Sequence, residues 1–209
     1  MSEAPALHDA LLQAIAARGG VRRFPAQAVL VNEGDQSDAL FIVLTGRVKV
    51  YGASADGREV VYNTHGPGEY FGEMSLDGQP RSASVMTLEP TSCVVVPGAQ
   101  VHDLLASQPE FAMHMVRKLI ALLRHSTDNV KSLALDNVYQ RVARLLDDLA
   151  PAAPGPRLVR EKLTQQDIAE RVGASREMVS RVFKQLTSGG YVALQGREIT
   201  LLKKLPADW

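Results

Sequence analysis

Leu163-Thr164-Gln165-Gln166-Asp167-Ile168-Ala169-Glu170-Arg171-Val172-Gly173-Ala174-Ser175-Arg176-Glu177-Met178-Val179-Ser180-Arg181 decides how the C-terminal part of this chain folds. Thr164 is followed three residues later by Asp167. In that pattern a hydroxyl caps a helix while an acid sits at its positive end. The spacing predicts a helix from Gln165 with Ile168, Ala169 and Val172 on one apolar face. Gly173 breaks it in a tight turn. Ser175 caps a second helix, with Val179, Val182, Phe183 and Leu186 turned inward. Two short capped helices joined through a glycine turn are helix–turn–helix grammar. The outward face of the second helix carries Arg176, Glu177 and Arg181 within its first two turns, where such a helix meets base edges. Arginine matches guanine O6 and N7 with two parallel contacts, and glutamate accepts from cytosine N4. A solvated charged face uses the same residue types, but the helix–turn–helix setting favours DNA.

The flanks support this reading. After Ser188-Gly189-Gly190, the runs Tyr191-Val192-Ala193-Leu194 and Ile199-Thr200-Leu201-Leu202 flank Gln195-Gly196. They predict a β-hairpin wing with Gln195 and Arg197 placed for phosphates. Upstream, Asn137 is a fitting cap for a helix over 138–149, and 150–156 is a Pro-rich connector. Before Asn137 the pattern is one long helix over about 110–135, with Pro109 in its first turn. Leu119, Leu123, Ser126/Thr127, Val130 and Ala134 recur at steps of three and four. At 1.5 Å per residue such a helix is roughly 40 Å long. That exceeds what packing on one small domain requires, and pairing of two chains along the stripe explains the excess. The alternative is a core-facing helix within one chain. A hinge is expected near 134–138, where one helix stops and the next starts.

The N-terminal half has another texture. Leu7, Leu11, Leu12 and Ile15 suggest a short helix over 6–18, stopped by Gly19-Gly20. From about 26 to 97, short β-rich runs alternate with glycines: Val29–Val31, Leu40–Leu44, Val48–Tyr51 and Glu59–Tyr62. Asp56-Gly57 marks a hairpin between the last two. Regular short strands imply a β-roll or barrel. Within it lies Phe71-Gly72-Glu73-Met74-Ser75-Leu76-Asp77-Gly78-Gln79-Pro80-Arg81-Ser82-Ala83. Gly72 permits a close backbone approach. Glu73 can accept from a hydroxyl, and Arg81 can contact an anionic phosphate. Ser82 adds a hydroxyl, and neighbouring backbone N–H groups can complete an anion nest. A cyclic ribose phosphate offers a hydroxyl and an anion at such a separation. An internal Glu73–Arg81 ion pair is the competing explanation.

Bulk properties bound the function. The 209 residues are 45% apolar with zero formal net charge, enough for two modest domains. Residues 138–209 hold 12 Lys/Arg against 8 Asp/Glu, and residues 1–137 hold 11 against 15. A basic C-terminal part beside an acidic N-terminal part fits a DNA-binding module joined to one kept off DNA. Cys93 stands alone in an apolar run, which argues against an internal disulfide and a multi-cysteine metal or iron–sulfur site. His65, His102, His114 and His125 are scattered, so a haem ligand is not expected. No signal pattern or membrane-spanning stretch is evident, and a cytoplasmic protein is expected. A phosphodiesterase using His65, Glu73 and Arg81 is a distant rival, because no metal-ligand spacing supports it.

With both segments in this order, the chain resembles the cyclic AMP receptor protein (CRP/FNR) family of bacterial transcription regulators over about residues 20–205. The resemblance implies an α+β fold: a jelly-roll-like β-roll sensor (1–109), a long dimerisation helix and hinge (110–136) and a winged helix–turn–helix (137–209). It implies a homodimer that recruits or blocks RNA polymerase. By position, Gly72, Glu73, Arg81, Ser82 and Ala83 would hold the effector, with Glu73 on the ribose 2′-hydroxyl and Arg81 and Ser82 on the cyclic phosphate. Ser126 and Thr127 would meet the purine across the dimer. Arg176, Glu177 and Arg181 would read a TGTGA-like half-site in pseudo-palindromic double-stranded DNA. Thr164, Ser175 and Lys184 would make phosphate or edge contacts. The step from Glu73 to Arg81 is one residue shorter than in many members. The resemblance makes cyclic AMP the first expectation for the effector; the shorter step implies a different purine pocket and makes cyclic di-GMP a rival, with no ligand at all as another.

Overall fold

Residues 9–206 are described in a computed structural model of the chain. They divide into two compact units that part between His125 and Ser126.

The first unit is built on two four-stranded antiparallel sheets. Its strands are β1 (Gly20–Phe24), β2 (Val29–Val31), β3 (Leu40–Thr45), β4 (Val48–Ala53), β5 (Glu59–His65), β6 (Tyr70–Phe71), β7 (Ser84–Thr87) and β8 (Thr91–Val96). One sheet runs β1-β8-β3-β6 and the other β2-β7-β4-β5. β4 and β5 pair across Asp56-Gly57, as the hairpin signal requires. β3 explains why Leu40-Phe41-Ile42-Val43 is apolar without alternation. Leu40 and Ile42 pack with Tyr70, Val94, Val101, Leu104, Phe111 and Met115. Phe41 and Val43 pack with Val48, Phe71, Val85 and Cys93. A strand covered on both faces needs apolar residues at every position. Helices α1 (Asp9–Ala16) and α2 (Gly98–Ser107), with the start of α3 (Pro109–Leu135), supply the outer cover. The expected N-terminal helix is thus present from Asp9, and its earlier positions, including Leu7, lie outside the described residues.

Helix α3 runs 27 residues without a break. Phe111, His114, Met115 and Lys118 are its buried residues. Leu119, Leu123 and Val130 of the repeating stripe are 43%, 69% and 67% exposed. These three positions of the stripe therefore lie outside the buried cores of the described residues.

In the second unit, Asn137 caps α4 (Val138–Leu149) in a reciprocal capping box with Gln140. Helices α5 (Gln165–Val172) and α6 (Arg176–Ser188) pack with α4 around Val142, Leu146, Ile168, Val179, Phe183 and Leu186. The wing pairs β10 (Val192–Gln195) with β11 (Glu198–Leu201), and β11 also pairs with β9 (Arg157–Leu158), a strand hidden at the end of the Pro-rich connector. Gln195 pairs with Glu198, so the turn residues are Gly196 and Arg197 rather than Gln195-Gly196. Gly196 adopts φ +63°, which suits glycine at the first position of a tight hairpin turn. No helix among the described residues is long and apolar enough to cross a membrane.

Candidate effector and DNA sites

The segment between β6 and β7 folds around Arg81. Gly72 adopts φ +95° and opens a short 3₁₀ turn over Glu73–Asp77. A Cβ on Gly72 would lie 2.6 Å from Arg81 Nη1 and 2.8 Å from the Ala39 carbonyl oxygen. Glycine is needed here because the guanidinium, rather than a ligand, closes on the backbone. Arg81 is 5% exposed. Its Nε donates to Ser37 Oγ at 2.8 Å, Nη1 to the Gly72 carbonyl at 3.1 Å and Nη2 to the Ala39 carbonyl at 2.7 Å. Phe41 lies beneath it, 5.9 Å from ring centroid to Cζ. A guanidinium carries five N–H groups. Three are anchored, so one N–H on each of Nη1 and Nη2 remains for an anion.

Among the described residues, no carboxylate forms an ion pair with Arg81. Burial lowers its pKa, and the charges of Asp38, Glu73 and Asp35 oppose that shift. The internal Glu73–Arg81 ion pair considered from sequence is not formed. Glu73 instead pairs with Lys118 of α3 at 3.3 Å, with side chains 8% and 3% exposed respectively. Lys118 also donates to the Tyr70 carbonyl and lies 3.6 Å from the centroid of the Tyr70 ring. Ser82 is exposed, and its hydroxyl rests on Met74 Sδ at 3.5 Å. No hydrogen bond described within the chain takes the N–H of Ser82 or Ala83. Gly72, Glu73, Arg81, Ser82 and Ala83 thus form one cluster. Ser126 and Thr127 stand exposed on α3.

The sequence reading missed Ser37, Ala39, Tyr70 and Lys118. Lys118 carried a signal: it lies seven residues after Phe111 and three after Met115, on the buried stripe of its helix. The histidines are dispersed. His65 faces Glu69 at 3.6 Å and stacks near Phe71, His114 tilts against Tyr70, and His102 is exposed. No group of three or more His, Cys, Asp or Glu among the described residues is arranged to hold a metal ion.

At the other site, the Thr164 side chain accepts from Asp167 N, and the Asp167 carboxylate accepts from the N–H and hydroxyl of Thr164. Gly173 takes φ +61° at the end of α5, and Ser175 Oγ accepts from Met178 N at 3.3 Å. Thr164 thus caps the start of α5, and Ser175 the start of α6. Arg176, Glu177, Arg181 and Lys184 are all exposed along it, as are Ser175, Gln195 and Arg197. The Glu177 pKa is lowered, first by its own backbone N–H and then by Ser175, with Arg176 and Arg181 adding to the shift. An exposed, ionised carboxylate is of the type that accepts from a base amino group.

A two-sheet β-roll around a buried arginine, followed along the chain by a long helix and a winged helix–turn–helix, defines a class: a ligand-gated, sequence-specific DNA-binding regulator of transcription. Comparison with known proteins narrows it. Residues 21–108 match the cyclic nucleotide-binding domain family and residues 140–205 the Crp-like helix-turn-helix domain family. The chain is 32% identical over 183 residues to a CRP-like cAMP-activated global transcriptional regulator of Mycobacterium tuberculosis, covering 85% of this chain and 82% of that one. It is 31% identical over 188 residues to the cAMP-activated global transcriptional regulator Vfr of Pseudomonas aeruginosa, covering 86% and 88%. The solved structure of the c-di-GMP responsive global regulator CLP of Xanthomonas campestris superposes with a TM-score of 0.82 at 25% identity, covering 92% of this chain and 98% of that one. The chain belongs to the CRP/FNR family of transcription regulators. It is a regulator and not an enzyme, so the phosphodiesterase reading of His65, Glu73 and Arg81 is withdrawn.

Proposed function

We propose that the chain acts in the cytoplasm as a homodimeric regulator gated by a cyclic mononucleotide, cyclic AMP first. One observation carries this reading: Arg81 is a buried cation with no ion-pair partner and two N–H groups to spare. Such a group is costly to bury alone and is stabilised when an anion arrives. The N–H groups of Ser82 and Ala83 complete the phosphate cradle, and Glu73 accepts the ribose 2′-hydroxyl. Ser126 and Thr127 meet the purine from the second chain, which pairs along Leu119, Leu123 and Val130.

The effector biases the dimer through its differential affinity for two arrangements of the paired helices. In the favoured one, the two copies of α6 enter successive major grooves roughly 34 Å apart. Arg176, Glu177 and Arg181 then read a TGTGA-like half-site, while Thr164, Ser175, Lys184, Gln195 and Arg197 contact the backbone or groove edges. Bound to such a pseudo-palindrome, the dimer recruits or blocks RNA polymerase. Cyclic di-GMP is the second reading, favoured by the likeness to CLP. It carries two phosphates, whereas Arg81 is one cation.

The test is calorimetric titration with cyclic AMP, cyclic GMP and cyclic di-GMP, with and without operator DNA recovered by selection. A mononucleotide that binds and tightens DNA binding supports the proposal. Binding of the dinucleotide alone supports the second reading. No binding by any of the three refutes cyclic-nucleotide gating.

A further inference from the structure

Lys118 is a buried charge that phosphate recognition by Arg81 leaves without a task. Its ammonium is fixed twice by Tyr70, through the carbonyl oxygen and the ring face, and a third time by Glu73 Oε2. Two of these three contacts do not involve Glu73. The lysine is therefore the anchored partner and the carboxylate is the group being placed. We propose that Lys118 is a positioning residue for effector recognition: it supplies the counter-charge that presents the Glu73 carboxylate to the nucleotide's 2′-hydroxyl, and so sets a preference for ribose over deoxyribose. The inference rests on the reading of this cluster as a cyclic nucleotide site.

Charge balance supports it. With a nucleotide bound, Arg81 answers the phosphate and Lys118 answers Glu73, so each charge of this cluster has a partner. An effector that stripped Glu73 from Lys118 would leave a 3% exposed ammonium without its counter-ion, which is strongly unfavourable. The pair therefore persists in the complex. A carboxylate has about four acceptor sites. Lys118 engages Oε2, and Oε1 remains for the hydroxyl. A 3′,5′-cyclic nucleotide has only that one sugar hydroxyl, so discrimination by sugar reports directly on Glu73. Because Lys118 belongs to α3, the same contact ties sugar recognition to the helix that carries the exposed apolar stripe.

A purely structural ion pair, neutralising a lysine that packs α3 on β6, would leave sugar preference untouched. The experiment titrates the full-length wild type and Lys118→Met with cyclic AMP, cyclic GMP and their 2′-deoxy counterparts. The wild type is expected to prefer the ribose form by about tenfold or more, as fits a hydrogen bond to a charged group. In Lys118→Met the preference falls to about twofold or less, while the nucleotide still binds through Arg81. If Lys118→Met does not fold, Lys118→Gln removes the charge while retaining an N–H donor on a shorter side chain, and the same ratio decides.

An undiminished ribose preference in the folded variant overturns the inference and leaves the cyclic nucleotide site standing. A wild type that binds both sugars equally overturns the role of Glu73 and this inference with it. A wild type that binds none of the four overturns the site itself, and the inference falls too.

Discussion

Replacing Arg81 by alanine separates the two things this side chain does. In the fold, it bridges Ser37, Gly72 and Ala39 at 2.8, 3.1 and 2.7 Å. The Gly72 carbonyl keeps a second donor, Ser75 Oγ at 2.9 Å, so the Ala39 carbonyl is the acceptor most exposed to loss. An orphaned buried carbonyl costs about 1–3 kcal/mol. Against this, the wild type buries a guanidinium without an ion-pair partner, a penalty of several kcal/mol after relaxation that the variant no longer carries. The two contributions oppose one another, so Arg81→Ala should fold with a stability within about 2 kcal/mol of the wild type. Effector binding has no such offset. The two spare N–H groups make charge-assisted contacts of about 1.5–3 kcal/mol each, so affinity should fall at least about a hundredfold. Calorimetry measures the affinity directly. Thermal unfolding checks it: the wild type should gain about 2.7 kcal/mol at an effector concentration of about one hundred times Kd, and the variant almost nothing. Cyclic AMP binding by Arg81→Ala within about tenfold of the wild type would show that the phosphate sits elsewhere.

Three further outcomes are expected. Arg181→Ala should cost about 1–3 kcal/mol in operator binding and relax base choice at one position of each half-site; an unchanged consensus in a selection from random DNA would refute that placement. Arg141 Nε donates to the Val172 carbonyl at 2.8 Å and Nη1 to the Asp136 carbonyl at 2.8 Å, clasping the end of α5 and the residue after α3. Arg141→Ala should lower stability by about 1.5–3 kcal/mol in denaturant titration, and an unchanged midpoint would show the clasp is idle. Glu69 is subject to burial, which raises its pKa, but His65 and the Gly66 N–H hold it below its ordinary value. The native chain then binds fewer protons than the unfolded chain in the acid range. This contribution is present above the ordinary glutamate pKa and is lost as pH falls through the lowered one. Glu69→Gln should therefore flatten the acid limb of a stability–pH curve, and an unaltered limb would refute the assignment.

Much of this was legible in the residues because the signals are local. The caps at Asn137, Thr164 and Ser175 and the positive φ of Gly173 follow from side-chain oxygens and missing Cβ atoms acting within four residues. The hairpin at Asp56-Gly57 is of the same kind. The pairing of Glu73 was not legible, because its choice between Arg81 and Lys118 depends on which face of α3 meets β6, a contact 45 residues apart in sequence. The anchors of Arg81 were hidden for a related reason. Two are backbone carbonyls, which carry no residue-type signature, and Ser37 lies in an unremarkable loop 44 residues away. The wing turn lies one residue beyond the sequence expectation because Gln195-Gly196 and Gly196-Arg197 both satisfy a short hairpin pattern. Strand register, not composition, chooses between them.

The boundary between the two compact units falls inside α3, between His125 and Ser126, and not in a loop. This makes helical phase a design constraint. At 3.6 residues per turn, each residue inserted or deleted at that boundary turns everything beyond it by about 100° and shifts it by about 1.5 Å. One inserted residue would swing Val130 and Leu133 away from the line set by Leu119 and Leu123, whereas seven would restore it to within about 20°. Length changes within α3 therefore keep the stripe in line only near whole numbers of helical turns, such as about 7, 11 or 18 residues. Along α3, then, helical phase constrains the number of residues as well as their identity.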